Sequence, residues 1–289
     1  MTGIGRVVIV GAGQVGTMVG AALREAATAC GISSIALYDS DWKVAETSAS
    51  LGGGDRVLRD PEAVLEADAL VLAIPVGEIV AWLEEFGPRL RRGVLVLDTG
   101  SAKMEVVAAM AQFLPNFVRA VGGHPMVGSE ASGPFAAVPG ALRGAVFALC
   151  PCRSDEAALA AATQLVAACG ARPLVVEAID HDRIVARTSH LPHLVASALA
   201  ITAVGVDEDL ALAQSLAGSG YLGTTRLAAS DAQMVAAFTS SNRSQLELAL
   251  RSFRAQLDRL EAALADGPKA LALELGKARA ARAQVLGQL

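Results

Sequence analysis

The apolar run VVIV at residues 7–10 passes straight into Gly11-Ala12-Gly13-Gln14-Val15-Gly16, and this junction constrains the fold more than any other stretch. Four consecutive apolar residues suit a strand buried on both faces, the condition of a parallel sheet covered by helices. Glycines at the first, third and sixth positions permit a tight turn, close approach of a ligand to the backbone, and close packing of the next helix. The N–H groups and dipole at that helix's N-terminus favour phosphate. The spacing therefore predicts a dinucleotide cradle made by Gly11, Gly13, Gln14, Val15 and Gly16. Asp39 closes the next apolar run, SIALYD (34–39), where a carboxylate can accept ribose hydroxyls and repels a 2′-phosphate. NAD rather than NADP is the expected cofactor, with Lys43 the nearby cation that argues the other way.

Strand-like runs recur at 69–75, 94–98, 117–125, 145–150 and 172–178, and helical patterns such as EIVAWLEEF and MEVVAAMAQFL separate them. This grammar implies βαβ units and a Rossmann-type, doubly wound, mainly parallel sheet. After Ala178 it changes to Ala/Leu-rich helical periodicity, broken at Gly205, Gly218-Ser219-Gly220, Gly223 and Gly267-Pro268. The expected plan is α/β: a nucleotide domain over 1–178 and an all-α domain over 179–289, joined without a flexible linker. Open α/β sheets bind ligands at the carboxyl ends of their strands. Ile74 and Pro75, Ser101 in DTGS, and His124 in GGHP all fall at such ends, with Ile74 and Pro75 expected along the cofactor.

A net charge of −5 without any basic block leaves no footprint for nucleic acid. The longest apolar run, Leu194–Val206, is 13 residues and is closed by Asp207-Glu208-Asp209. That is short of the ~18 a membrane span requires, so a buried or subunit-facing helix is expected. Gly11 and Gly13 break the N-terminal apolar run, so no leader is expected and the cytoplasm is the expected compartment. Cys30, Cys150, Cys152 and Cys169 lack paired metal or redox spacing and read as reduced thiols.

His124 lies in GGHPMVGSEASGP, a loop fixed by glycine and proline. An imidazole with a pKa near neutrality suits removal of a hydroxyl proton as hydride departs. The other three histidines lie in HDRIVARTSHLPHLVASALA (181–200). On an ideal helix Asp182, Ala186, Ser189 and His193 share a face, His190 turns about 60° from His193, and His181 lies opposite His190. No three nitrogens converge and no HExxH is present, so no metal site is expected. His181 with Asp182 is expected to begin the helix, His190 to be structural, and Pro192 to bend the chain so that His193 points inward.

Together GxGxxG, DTGSAK (98–103), GGHPMVGSEASG (122–133), HDRIVARTSHLPHLVASAL (181–199) and GYLGTTRLAASD (220–231) resemble the prephenate/arogenate dehydrogenases of tyrosine biosynthesis, in their minimal monofunctional form. The resemblance implies NAD-dependent oxidative decarboxylation of prephenate to 4-hydroxyphenylpyruvate by a homodimer built through the helical domain. In those terms His124 accepts the proton of the substrate's C4 hydroxyl and Ser101 bonds to the same hydroxyl or to the imidazole. Arg226 binds a carboxylate, Ser189 and His193 face the substrate, and Glu130 gates the pocket. The chain departs from the pattern at Val235, where members often carry tryptophan, at Ala232 in place of proline, and at Leu222-Gly223, where a lysine can stand. These positions bear on the substrate side chain, so arogenate and 4-amino-4-deoxyprephenate are the sibling substrates. A β-hydroxyacid dehydrogenase would need a lysine in its helical domain, and only Lys269 and Lys277, far along the last helix, are available. A catalytically silent NAD(H) sensor would have lost His124, Ser101 or Arg226.

Overall fold

The computed structural model describes residues 3–204 and 210–287; the expected break at Gly205 and the acidic Asp207-Glu208-Asp209 lie outside them. Eight strands form one sheet: β1 (Gly5–Val10), β2 (Ile32–Tyr38), β3 (Arg56–Leu58), β4 (Ala69–Leu72), β5 (Leu95–Asp98), β6 (Arg119–Pro125), β7 (Val146–Pro151) and β8 (Arg172–Val175). Their order is β3-β2-β1-β4-β5-β6-β7-β8. Every neighbouring pair is parallel except β6 with β7, which is antiparallel. The first six strands thus have the doubly wound order, with the switch point between β1 and β4.

The apolar alternation of β1 explains the layers. Val7 and Ile9 pack in one buried cluster with Ile35, Leu37, Val71, Leu95 and Leu97. Val8 and Val10 pack in the other, with Leu70, Leu72 and Val96. Successive residues of a strand face opposite sides, so both faces of the central strands are covered. Helix α1 (Gln14–Glu25) contributes Met18, Val19 and Leu23 to the first cluster. A second short helix, α2 (Ala27–Cys30), follows it after Ala26. Helix α3 (Trp42–Ser50) is capped by Asp41, whose side chain accepts from Lys43 N. Helices α4 (Val76–Phe86) and α5 (Met104–Phe113) cover the second cluster through Ile79, Leu83, Val106 and Met110. Helix α6 (Glu156–Ala168) packs Ala158, Ala162, Leu165 and Val166 against the first.

The strand grammar ends as expected. Helix α7 (Ala178–Val185) leads into a π-helical turn at Ala186–His190 and then α8 (Leu191–Val204). Helices α9 (Leu210–Leu216), α10 (Ser219–Thr225) and α11 (Ala232–Ser241) follow, with a 3-10 turn at Arg226–Ala229 between the last two. The chain divides into two compact units, residues 1–243 and 244–289. The first contains the whole sheet and α7 to α11. The second is helical, with α12 (Arg243–Ala265) ending at a break where Gly267 adopts φ +102°, and α13 (Pro268–Val285) after it.

Candidate active site

The glycine turn after β1 has the geometry that the sequence predicts. Gly11 sits at φ +93°, and a Cβ there would lie 2.3 Å from the Ala73 carbonyl, so only glycine fits. A Cβ on Gly13, in contrast, would meet nothing within 4 Å. Protein packing does not demand that glycine; close approach of a ligand to the backbone does. Gly13 also begins α1 without any side-chain cap, so the first N–H groups of a twelve-residue helix stay available to phosphate. Asp39 follows β2 and binds the turn to it: Oδ2 accepts from Ala12 N at 2.8 Å and Oδ1 from Asp41 N at 3.0 Å. The residues present fit a dinucleotide.

Gln14 does more than face that ligand. Its Nε2 donates to Ser129 Oγ at 2.7 Å and to the Ala136 carbonyl at 2.8 Å, which ties the turn to the loop that follows His124.

A cavity of about 580 Å³ opens beyond the turn. The ends of β4, β5 and β6 supply Ile74, Pro75, Ser101 and His124 to its wall, and the π-turn and α8 supply Ser189, His190 and His193. Arg226 and Phe238 line it as well. Its size lies in the usual range for a small-molecule site, ~300–1,000 Å³. Across its edge Arg226 Nη1 donates to Glu130 Oε2 at 2.7 Å. Val15 lines the cavity beside Gln14, so the turn and the catalytic candidates share one space.

His124 is placed by the tightness of β6 against β5. A Cβ on Gly123 would lie 2.3 Å from the Asp98 carbonyl, so the strand before His124 can approach only as glycine. Asp98 is fully buried and accepts from Gly100 N at 2.7 Å and Gly123 N at 2.8 Å. Lys103, also fully buried, pairs with Asp98 and donates to the Gly123 carbonyl at 2.7 Å. Burial, then the proximity of His181, Lys103 and His190, pushes the His124 pKa well below its ordinary value. The imidazole is therefore neutral at neutral pH, as a proton acceptor must be.

Two expectations for the histidine run are corrected. His181 does not merely begin a helix: it is buried, and its Nε2 lies 2.9 Å from His124 Nδ1. Asp182 does not share the cavity face with His193; its carboxylate accepts from Lys103 N and Met104 N, at 2.7 and 2.9 Å, and caps α5. The cause is the π-turn. One residue added to a helical turn advances the phase of everything beyond it by about 100°, so an ideal wheel drawn from 181 to 193 misplaces both ends. Pro192, which lacks an N–H and crowds the carbonyl four residues back, accounts for the wider turn.

His190 is buried and stacks obliquely on Phe238, 4.8 Å between ring centres, while His193 meets the same ring edge-on. Asn242 Nδ2 donates to the Asp182 carbonyl at 2.8 Å and lies 3.2 Å from His190 Nδ1. Burial lowers the His190 pKa to about 4. His193 Nδ1 bonds to the Ser189 carbonyl at 3.0 Å, which aims the far side of its ring at the cavity. Among the described residues no group of three His, Cys, Asp or Glu side chains could hold a metal ion.

Lys103, His181, Asp182 and Asn242 are the site-forming residues that sequence reasoning did not assign. The signal for the first was present: a lysine in DTGSAK, five residues past the strand-end Asp98, has a carboxylate within reach to pair with if it is buried. For the others no signal was legible, because periodicity across a π-turn misleads.

Comparison with known proteins agrees with this geometry. Residues 19–175 match the nucleotide-binding domain of prephenate dehydrogenase, and residues 177–274 match its dimerization domain. The glycine turn precedes the first matched span. The chain is 31% identical to a cyclohexadienyl dehydrogenase of Zymomonas mobilis over 92% of its own length and 90% of that protein's. A prephenate dehydrogenase from A. aeolicus, solved with hydroxyphenyl propionate and NAD+, superposes with a TM-score of 0.86 at 25% identity, covering 97% of this chain and 98% of that one. A Synechocystis arogenate dehydrogenase superposes at 0.79 with 26% identity, covering 97% and 99%. The chain belongs to the prephenate dehydrogenase family of NAD-dependent oxidoreductases.

Proposed function

We propose that the chain catalyses oxidative decarboxylation of prephenate to 4-hydroxyphenylpyruvate with His124 as the base. The observation that carries this reading is the cavity, in which a neutral imidazole and a serine at the strand ends share one space with a guanidinium. That arrangement suits a small dianion whose hydroxyl must lose a proton. NAD, when bound on the glycine turn, accepts hydride from the carbon that bears the hydroxyl. Ser101 and His124 orient that hydroxyl, and His124 takes its proton. Arg226 holds a substrate carboxylate through charge-assisted hydrogen bonds, for which Glu130 must give up its own bond. Ser189 and His193 meet the remainder of the substrate. Loss of CO2 sends its bonding electron pair through the ring to the C4 oxygen as the ring becomes aromatic, and that oxygen takes its proton back from His124, now the acid.

Arogenate is the second reading, because the chain differs from the family pattern at Val235, Ala232 and Leu222-Gly223, positions that bear on which substrate is taken. Purified protein with NAD and each of prephenate, arogenate and 4-amino-4-deoxyprephenate separates the readings by the growth of NADH absorbance. Flat traces with all three would sink the enzyme reading.

The division of labour follows the change in grammar: nucleotide binding over 1–178, substrate binding and subunit contact over 179–289. A homodimer is supported by the exposed apolar residues Ile201, Val204, Leu210, Leu216 and Leu222. Light scattering at micromolar concentration checks it. No described helix is long and apolar enough to cross a membrane. The site serves a small-molecule substrate, and the cytoplasm is the proposed compartment.

A further inference from the structure

We propose that His181 and Asp182 are positioning residues that fix the tautomer of His124, leaving Nε2 as the basic atom turned to substrate. The inference rests on the reading of His124 as the base. Three side chains are joined in series by two polar contacts. Asp182 Oδ1 lies 2.7 Å from His181 Nδ1, and His181 Nε2 lies 2.9 Å from His124 Nδ1. The carboxylate already accepts from Lys103 N and Met104 N, so both of its oxygens are committed as acceptors.

An ionised carboxylate has no proton to give, so His181 must donate from Nδ1. A neutral imidazole that donates from Nδ1 accepts at Nε2. The 2.9 Å contact to His124 then needs a proton on His124 Nδ1, because two facing lone pairs repel. His124 Nε2 keeps its lone pair. The opposite tautomer would put an N–H on Nε2, which can donate to a substrate oxygen but cannot take a proton from it.

The charged and titratable groups around His124 come from four elements. Lys103 and its partner Asp98 lie on the β5 side, His181 and Asp182 on α7, His190 on the π-turn, and the Arg226–Glu130 pair at the cavity edge. During the reaction the substrate O–H bond breaks and a bond from that proton to His124 Nε2 forms. The resulting imidazolium still donates from Nδ1 to His181, and Asp182 stays ionised two hydrogen bonds away. This is the arrangement by which a buried carboxylate orients a catalytic imidazole in other enzymes without itself being protonated.

The test compares two variants and reads the tautomer directly. His181→Leu removes the acceptor, and His181→Gln restores an amide carbonyl that can accept from His124 Nδ1. Expected is a fall in kcat on the order of 100-fold for His181→Leu with substrate KM nearly unchanged, and recovery of most of it in His181→Gln. The chain holds four histidines, so ring 15N spectra of labelled protein are tractable. In the wild type, His124 should show a protonated Nδ1 and an unprotonated Nε2, and in His181→Leu the balance should move toward protonated Nε2. Full kcat in His181→Leu, or a wild-type His124 protonated on Nε2, overturns the proposal. His124→Asn that retains turnover would instead overturn the reading of His124 as base, while the spectrum of the wild type would stand.

Discussion

The substitution Lys103→Met isolates a buried ion pair beneath the His124 loop. Methionine keeps most of the stem but removes the ammonium, which pairs with Asp98 and donates to the Gly123 carbonyl at 2.7 Å. Both members of the pair are fully buried. Removing one partner of such a pair leaves an uncompensated charge, at a cost of about 3–5 kcal/mol. Two backbone donors remain on Asp98, from Gly100 and Gly123, which places the expected cost toward the lower end of that range. The lost bond to Gly123 adds about 1 kcal/mol, so roughly 4 kcal/mol is expected. Trp42 and Trp82, the chain's two tryptophans, lie on α3 and α4, so intrinsic fluorescence during urea unfolding reports on the sheet domain. The double variant with Asp98→Asn should recover part of the loss, because a neutral amide carries no buried charge. Lys103 also helps to hold the His124 pKa down, so the acid limb of kcat/KM should move to higher pH in Lys103→Met. A destabilisation under about 1 kcal/mol would refute the argument that the pair is a buried structural unit.

His124→Asn should lower kcat by on the order of 100-fold or more while NAD affinity, measured by fluorescence titration, stays near the wild-type value. Arg226→Ala should act chiefly on substrate KM, by roughly 10- to 100-fold for loss of a charge-assisted hydrogen bond; abolished NAD binding instead would show the two ligands misplaced. Folding stability should fall with acid through His190. Its folded pKa of about 4 lies below the ~6.5 of an unfolded histidine, so the unfolded state binds the extra proton in that window. The contribution is intact above pH ~6.5 and lost progressively toward pH 4, up to ~3 kcal/mol. Urea midpoints measured from pH 7.5 to 4.5 check this, and a flat profile would contradict it.

How much of this was legible in the sequence depended on which physical rule applied locally. The central strands were readable because burial on both faces leaves no polar residue in VVIV (7–10) or VLVL (94–97), and the glycine turn because its three glycines answer to different constraints. β3 escaped notice: three residues, Arg56–Leu58, on the sheet edge carry no periodicity to detect. Ser101, His124, Ser189, His193 and Arg226 line one cavity. The histidine run was legible at one end only. Ser189, near the end of the π-turn, and His193, just beyond it, lie four residues apart and both line the cavity, so the wheel relates them correctly. Between His181 and His193 stands the π-turn, and a rule of 100° per residue carries an error of about one residue across it.

That error has chemical consequences, because it decides which histidine meets His124. With an ideal helix from 181 to 193, Asp182 would enter the cavity and His181 would point away from it. With the extra residue at Ala186–His190, Asp182 turns to the start of α5 and His181 turns to His124. The proline that makes the helix irregular thus determines the surroundings of His124. Pro192→Ala is expected to favour a regular turn, and the phase argument then predicts a specific defect. The 2.9 Å contact between His181 and His124 should be lost and kcat should fall, even if helix content and thermal stability rise. A Pro192→Ala variant with unchanged kcat and an unchanged His124 tautomer would show that tertiary packing, not the proline, holds the π-turn in place.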